Sequence, residues 1–303
     1  MRVAVIGVCG FGQHHARAFQ ELGCDLVGVV DVNPDVQKWA EALGAAAYTD
    51  YRELFSLQLD AVSLALPPRL HPEVIREFVR RGIAVFCEKP VAPTASEAQR
   101  LLDDLGADAP VMVGFCFRYN AVYRRLKELM HDGTIGRVRS ILARKCWATR
   151  TPWRLQEGGG VVFVKDIHYY DLIPWLLEEE PSQLLAVGGS FFHAGPAEDS
   201  YHLLMGFPSG AVFNLDSAWW TLPKGVGSFE VVGDKARVVV SEDRMQIIAD
   251  KTSEEIPAGE PMVMAEIRHF VEWRTAGGPP PPGLREALQA NRLAQRVYDL
   301  IHS

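Results

Sequence analysis

Over the first 118 residues short apolar runs alternate with amphipathic stretches, the rhythm of a parallel sheet wrapped by helices. Val3 to Ile6, Leu26 to Val30, Asp60 to Leu66, Ala84 to Cys87 and Val111 to Phe115 are near-continuous apolar segments of strand length. Ala46 to Thr49 is a shorter one. Between them, apolar positions at helical spacing predict a helix entered at Gly12 and others over Pro34 to Leu43, Tyr51 to Leu57, Pro72 to Arg81 (closed by Gly82) and Ser96 to Leu105. This is the order of an α/β Rossmann domain, doubly wound, over residues 1–118.

Past Asn120 the period changes. One helix, Val122 to His131, is followed by segments of strand character: Arg137 to Trp147, Leu184 to Phe192, Tyr201 to Phe207, Ala211 to Trp219, Phe229 to Val232, Arg237 to Val240 and Met245 to Ala249. Tight turns such as Pro208-Ser209-Gly210 join several of them, so residues 119–303 read as a C-terminal α+β domain on a large, mainly antiparallel open sheet. Helices over Met262 to Arg274 and Leu284 to Ile301 flank a Gly- and Pro-rich loop, and the last is a candidate to pack back on the first domain. A broad sheet of this kind needs its second face covered, so a homodimer or homotetramer through that sheet is expected.

Composition narrows the function classes. The 303 residues are 48% hydrophobic and 23% charged, ordinary for a globular chain, and the formal net charge of −7 with no basic block excludes a nucleic-acid surface. No 18-residue apolar span or leader pattern precedes the first strand, so no membrane association and a cytoplasmic location are expected. The five cysteines are scattered, odd in number and without a Cys-x-x-Cys pair, which fits a reducing compartment and no zinc site. Neighbouring His14 and His15 diverge by about 100° on a helix and cannot share an ion, so no metal is expected.

The chemistry-bearing residues begin in the first turn. Gly7, Cys9, Gly10, Phe11 and Gly12 link the first strand to the first helix, and Asp31 ends the second strand. Glycines there let the backbone approach a pyrophosphate, the helix N-terminus faces the phosphates and the acid accepts from a ribose hydroxyl. A nicotinamide dinucleotide is the implied cofactor. Asp31 repels a 2′-phosphate and no arginine stands in Val32-Asn33-Pro34, so NAD is favoured over NADP. Cys9 reads either as a small residue filling the turn or as a low-pKa thiol at a helix N-terminus.

Lys89 follows the strand ending at Cys87, where ligands of open α/β sheets bind, though a solvated strand end is the plainer reading of position alone. Gly158-Gly159-Gly160 precede a stretch in which Lys165, His168 and Asp171 fall at i, i+3 and i+6, one face of a continuous helix, with the glycine-flanked N–H groups open to a ligand. Trp147, Trp153 and Arg154 could line a polyhydroxylated ligand by stacking and hydrogen bonding, or pack at a sheet edge.

Taken in order, these features resemble the Gfo/Idh/MocA family, the glucose-fructose oxidoreductase and inositol dehydrogenase group. The resemblance spans essentially the whole chain: the glycine turn followed by His15, Leu66-Pro67 to His71, Glu88-Lys89-Pro90, Gly114-Phe115 with Arg118-Tyr119, Gly133 to Gly136, and the triple-glycine segment ending in His168-x-x-Asp171. It implies an NAD(P)-dependent oxidoreductase acting on a sugar, polyol or related hydroxy compound. It places Leu66, Pro67, His71, Glu88 and Lys89 at the cofactor and Arg118, Tyr119 and Asp171 at the substrate. Many members carry an Asp one turn before the histidine, where this chain has Val164; the usual glycine is Asp166 and the usual asparagine after Leu66-Pro67 is Pro68.

Alcohol oxidation needs a base for the hydroxyl proton while hydride leaves the same carbon. The reading assigns His168 as that base, Lys89 as the residue orienting and polarising the substrate oxygen, and Lys165 as a second cation. Two lysines beside a histidine would favour an acidic sugar or a depressed histidine pKa, unless Lys165 turns to solvent. The competing reading, motivated by Val164 and Cys9, is a catalytically silent cofactor-binding regulator or sensor.

Overall fold

In the computed structural model, which describes residues 1–148, 160–240, 244–249, 252–257, 259–277 and 282–303, the chain divides into two units. The first comprises Met1–Cys116 and Pro261–Asn291; the second comprises Phe117–Glu260 and Arg292–Ser303. The sequence boundary at 118 lies two residues from this division, whereas the range 119–303 encloses residues 261–291, which group with the first unit.

The first unit is built on a six-stranded parallel sheet. Its strands are β1 (Arg2–Ile6), β2 (Asp25–Val30), β3 (Ala46–Tyr48), β4 (Ala61–Leu64), β5 (Ala84–Cys87) and β6 (Val111–Val113), in the spatial order β3-β2-β1-β4-β5-β6. The order reverses between β1 and β4, the switch point at which doubly wound sheets open a crevice. Every residue of β4 and β5 is buried, as expected of strands covered on both faces. Helices α1 (Gln13–Glu21), α2 (Val36–Leu43), α3 (His71–Val79) and α4 (Ala95–Leu105) connect the strands, and Tyr51–Ser56, predicted as helix, forms a tighter 3-10 turn capped by the Asp50 side chain.

Two glycines fix the first turn. Gly7 sits at φ 91°, and a Cβ there would lie 2.3 Å from the Ala65 carbonyl oxygen; Gly12 has helical φ and ψ, but its Cβ would lie 2.5 Å from the Gly7 carbonyl oxygen.

Three aromatic rings carry a later part of the chain onto this layer. Helix α8 (Met262–Ala276) places Phe270 6.2 Å from Phe19 of α1 and 5.6 Å from Phe86 of β5, measured between ring centroids. The periodicity located that helix without showing which sheet it would cover.

The second unit holds an eight-stranded mixed sheet. In chain order its strands are β7 (Val138–Ala148), β8 (Gln183–Gly189), β9 (Ser200–Gly206), β10 (Val212–Trp220), β11 (Val226–Gly233), β12 (Arg237–Val240), β13 (Arg244–Ala249) and β14 (Thr252–Pro257). Their spatial order is β14-β13-β12-β11-β7-β10-β9-β8. Among the described residues, only the β7–β10 contact of this sheet is parallel. The charged Thr252–Pro257 segment has no apolar alternation and was not predicted. One face packs on helix α5 (Ala121–His131) and on α6 (Gly160–Val164) and α7 (Ile167–Leu177); α5 is capped by Asn120, whose side chain accepts from the Val122 N–H at 2.8 Å. The other face leaves Leu185, Val187, Leu204, Leu142 and Val212 exposed. The terminal helix α9 (Leu284–His302) is continuous, its residues to Asn291 grouped with the first unit and the rest with the second.

The triple-glycine segment departs from expectation. The single helix predicted to carry Lys165, His168 and Asp171 is broken, with α6 ending at Val164 and α7 beginning at Ile167 after Asp166 at φ −99°, ψ 0°. Lys165 therefore lies in the break and does not share a helical face with His168.

The tight approach at Gly12 makes a prediction. Gly12→Ala keeps an allowed backbone but forces Cβ into the Gly7 carbonyl, so chemical denaturation should show a loss of about 1–3 kcal/mol. A variant as stable as the parent would mean that the turn relaxes freely.

Candidate active site

At the first turn of the first unit the backbone and one carboxylate form a cradle. Gly7 N–H donates to the Val30 carbonyl at 2.8 Å, tying the turn to the end of β2. Asp31 then accepts from two backbone groups, Cys9 N–H at 2.9 Å and Asn33 N–H at 3.0 Å, which fixes its carboxylate. The Gly10 side meets no atom within 4 Å of an added Cβ, and Phe11 is exposed. These residues fit a dinucleotide: a turn too tight for side chains, an open flank, and an anchored acid with lone pairs left for a ribose. The low-pKa reading of Cys9 is corrected. Burial and the neighbouring Asp31 push its thiol up to about 11, which suits a small turn-filling residue.

Behind the cradle, the ends of β4 and β5 are fastened by two buried histidines. His15 of α1 sets Nδ1 2.8 Å from the Ser63 hydroxyl of β4 and Nε2 3.2 Å from Glu88 Oε1. Burial works to raise the Glu88 carboxyl, but the His15 contact and the charges of His15, Lys89 and His71 outweigh it and hold the group below the usual carboxylate range. Lys89, next along the chain, is half-buried, and its backbone N–H donates to Glu88 Oε2 at 3.3 Å.

His71, expected at the cofactor, is fully buried with ring nitrogens 2.8 Å from the Pro90 carbonyl oxygen and 2.9 Å from that of Leu66. It fastens the Leu66-Pro67 turn to the Glu88-Lys89-Pro90 turn and has no edge left for a ligand.

In the second unit, the ring of His168 lies 4.7 Å from that of Phe117 at an interplanar angle of 22°. Lys145 of β7 borders the same ring: its Nζ is 5.0 Å from the Phe117 centroid, 5.2 Å from Trp147 and 5.4 Å from Tyr169. Sequence reading missed Lys145, although the period-two pattern Ile141, Ala143, Lys145 places it on the buried face of its strand.

Lys165 takes a different part from the one expected. Its Nζ donates to the Lys145 carbonyl at 2.7 Å and the Ala218 carbonyl at 2.9 Å, and burial lowers its pKa against the opposing charges of Asp166, Cys146 and Asp216. Lys165 thus joins the ends of β7 and β10, and the acidic-sugar expectation built on it loses its footing. Asp166 beside it accepts from the Ser217 hydroxyl, and the Tyr170 and Tyr201 hydroxyls meet at 2.7 Å.

Other expectations are revised on the same grounds. Arg118 and Asp171, both assigned to substrate, are paired with each other, Arg118 Nε and Nη2 donating to the carboxylate at 2.7 and 2.6 Å. Tyr119, also assigned to substrate, is buried. The N–H groups after the glycines are occupied, Val161 donating to the Glu198 carbonyl at 3.1 Å and Val162 to its side chain at 3.0 Å. Gly160, at φ 68°, admits that carboxylate, which would lie 2.2 Å from an added Cβ. Trp153, Arg154, Gly158 and Gly159 lie outside the described residues.

Comparison with known proteins supplies the class. Residues 1–115 match the family model described as "Oxidoreductase family, NAD-binding Rossmann fold", and residues 123–239 match the GFO/IDH/MocA C-terminal domain. The chain belongs to the Gfo/Idh/MocA family of NAD-binding oxidoreductases. It is 28% identical over 255 residues to myo-inositol 2-dehydrogenase of Thermotoga maritima, covering 80% of this chain and 76% of that protein. It is 30% identical over 194 residues to inositol 2-dehydrogenase of Rhizobium meliloti, covering 61% and 58%. A levoglucosan dehydrogenase solved with NADH and levoglucosan superposes with a TM-score of 0.88 at 20% identity, covering 100% of this chain and 97% of that one, which shows the shared fold. The catalytically silent reading finds no support among relatives named as dehydrogenases.

The Cys9 environment is directly testable. Alkylation of Cys9 by iodoacetamide, followed by peptide mass spectrometry, should be slow at pH 7.5 and rise about tenfold per pH unit toward pH 11. Rapid labelling at neutral pH would contradict it.

Proposed function

We propose that this protein is a dehydrogenase that moves hydride between NAD and a CH–OH group of a sugar or polyol, inositols being the class named among its relatives. The observation that carries the reading is the anchored Asp31 carboxylate at the mouth of a glycine turn too tight for side chains. The bound nicotinamide would supply the hydride acceptor. Gly7, Cys9, Gly10, Phe11 and Gly12 would hold the pyrophosphate side, with Asp31 on the adenosine ribose and Leu66, Pro67 and Glu88 shaping the far wall.

The proposed division of labour follows from side-chain chemistry. His168, kept in plane by Phe117, takes the hydroxyl proton as the carbon is oxidised. Lys89 orients and polarises the substrate oxygen, stabilising alkoxide character as it develops. Lys145 takes the second-cation role first given to Lys165, its ammonium held among three aromatic faces.

Two further readings belong to this proposal. The exposed Leu185, Val187, Leu204 and Leu142 on one face of the second unit's sheet support a homodimer or homotetramer closed through that face. The free thiols support a reducing, cytoplasmic setting, and no helix among the described residues is long and apolar enough to cross a membrane.

Cofactor choice is the first test. Fluorescence titration should show tighter binding of NAD than of NADP, because Asp31 faces a 2′-phosphate with like charge. Tighter NADP binding would overturn the role of Asp31. Lys89→Ala should lower kcat by at least about 100-fold with an unchanged melting temperature and little change in NAD affinity. A variant keeping more than about a tenth of the parent rate, roughly 1.4 kcal/mol in barrier, would remove Lys89 from the chemistry.

A further inference from the structure

The reaction as described leaves a buried carboxyl of the first unit unused. Glu266 stands on α8, is 1% exposed, and its Oε2 meets no hydrogen-bond partner. One turn further along that helix Phe270 packs against Phe86, so α8 is seated on β5, the strand whose end carries Glu88 and Lys89. Burial and the Glu88 charge push the Glu266 carboxyl well above its ordinary range, against the opposing pull of Lys89.

The two carboxyls are unequally supported. Glu88 has His15 at 3.2 Å and the Lys89 N–H at 3.3 Å, both of which favour its ionised form. Glu266 has neither, and a second negative charge in the same dry space is disfavoured while the first persists. The remaining titratable neighbours do not alter this balance: burial moves His71 of α3 and Cys87 of β5 toward their neutral forms, and His15 of α1 is engaged with Glu88.

We propose that Glu266 is a positioning residue for Lys89: it is the buried acid behind the strand end that carries the proton while Glu88 is ionised, and that on releasing it holds Lys89 as an ammonium. The proposal rests on the reading of Lys89 as the cation of the reaction. At neutral pH the strand end then carries one anion and one cation. As pH rises, Glu266 becomes the second anion and resists loss of the lysine proton, because an opposite charge nearby favours the charged form.

The test replaces the acid by its neutral isostere in the full chain. Lys89 of the apoprotein is labelled with an amine-reactive reagent across a pH series and quantified by peptide mass spectrometry, with exposed Lys38 as internal reference. In Glu266→Gln the Lys89 labelling midpoint should fall by about one pH unit while that of Lys38 stays in place. Glu266→Asp, which restores an acid, should move the Lys89 midpoint back toward the parent value.

An infrared difference spectrum, parent minus Glu266→Gln, should show a protonated carboxyl band at neutral pH. In turnover with NAD, the alkaline limb of kcat should shift in the direction of the labelling midpoint, with the KM for NAD unchanged. An unmoved Lys89 midpoint, an Asp variant indistinguishable from Gln, or a missing carboxyl band would each overturn the proposal. Labelling needs no substrate, so absence of turnover would count against the dehydrogenase reading alone.

Discussion

The contact between His15 and Glu88 is the constraint around which the first unit is arranged. His15 lies one turn into α1, the helix launched by the glycine turn, and Glu88 immediately precedes Lys89. A single imidazole, also held by the Ser63 hydroxyl, therefore ties the cradle helix to β4 and to the end of β5. Because all three partners are largely withdrawn from water, the contact is stronger than a surface pair of the same length, and losing one partner would strand the others. The proposed acid Glu266 comes from the far end of the chain, on a helix seated on β5 by the contact of Phe270 with Phe86.

The second unit solves a related problem differently. The break between α6 and α7 frees Lys165 from the helix, and its ammonium satisfies two carbonyls at the ends of parallel neighbours β7 and β10. Asp166, in the same break, receives the Ser217 hydroxyl from β10. Glu198 caps the glycine-led helix from below, so both helix ends are fixed by buried polar side chains. His168 follows in the first turn of the next helix, its ring stacked on Phe117.

Much of the architecture was legible in the sequence because parallel strands buried on both faces leave unbroken apolar runs, as at Ala84 to Cys87, whose bounds agree with β5. The glycine turn and Asp31 were legible because backbone geometry allows few alternatives there. The helix break was not: Val161 to Ile167 is apolar enough to continue a helix, and only the capture of Lys165 and Asp166 by β7 and β10 interrupts it. Long-range partners such as Arg118 with Asp171 were equally hidden, since a charged residue in a strand-end motif reads as ligand-facing until its partner is seen. Lys145 could have been found from strand alternation alone. Glu266 could not, because its significance depends on which sheet its helix covers.

The dehydrogenase account is tested most directly by following NADH absorbance when the purified protein is given NAD and inositols or other polyols, each compared with the same compound deuterated at the reacting carbon. Hydride transfer predicts NADH formation with at least one polyol, no NADH when NAD is omitted, and slower single-turnover formation with the deuterated compound. Tight NAD binding with no NADH from any sugar or polyol would contradict the account.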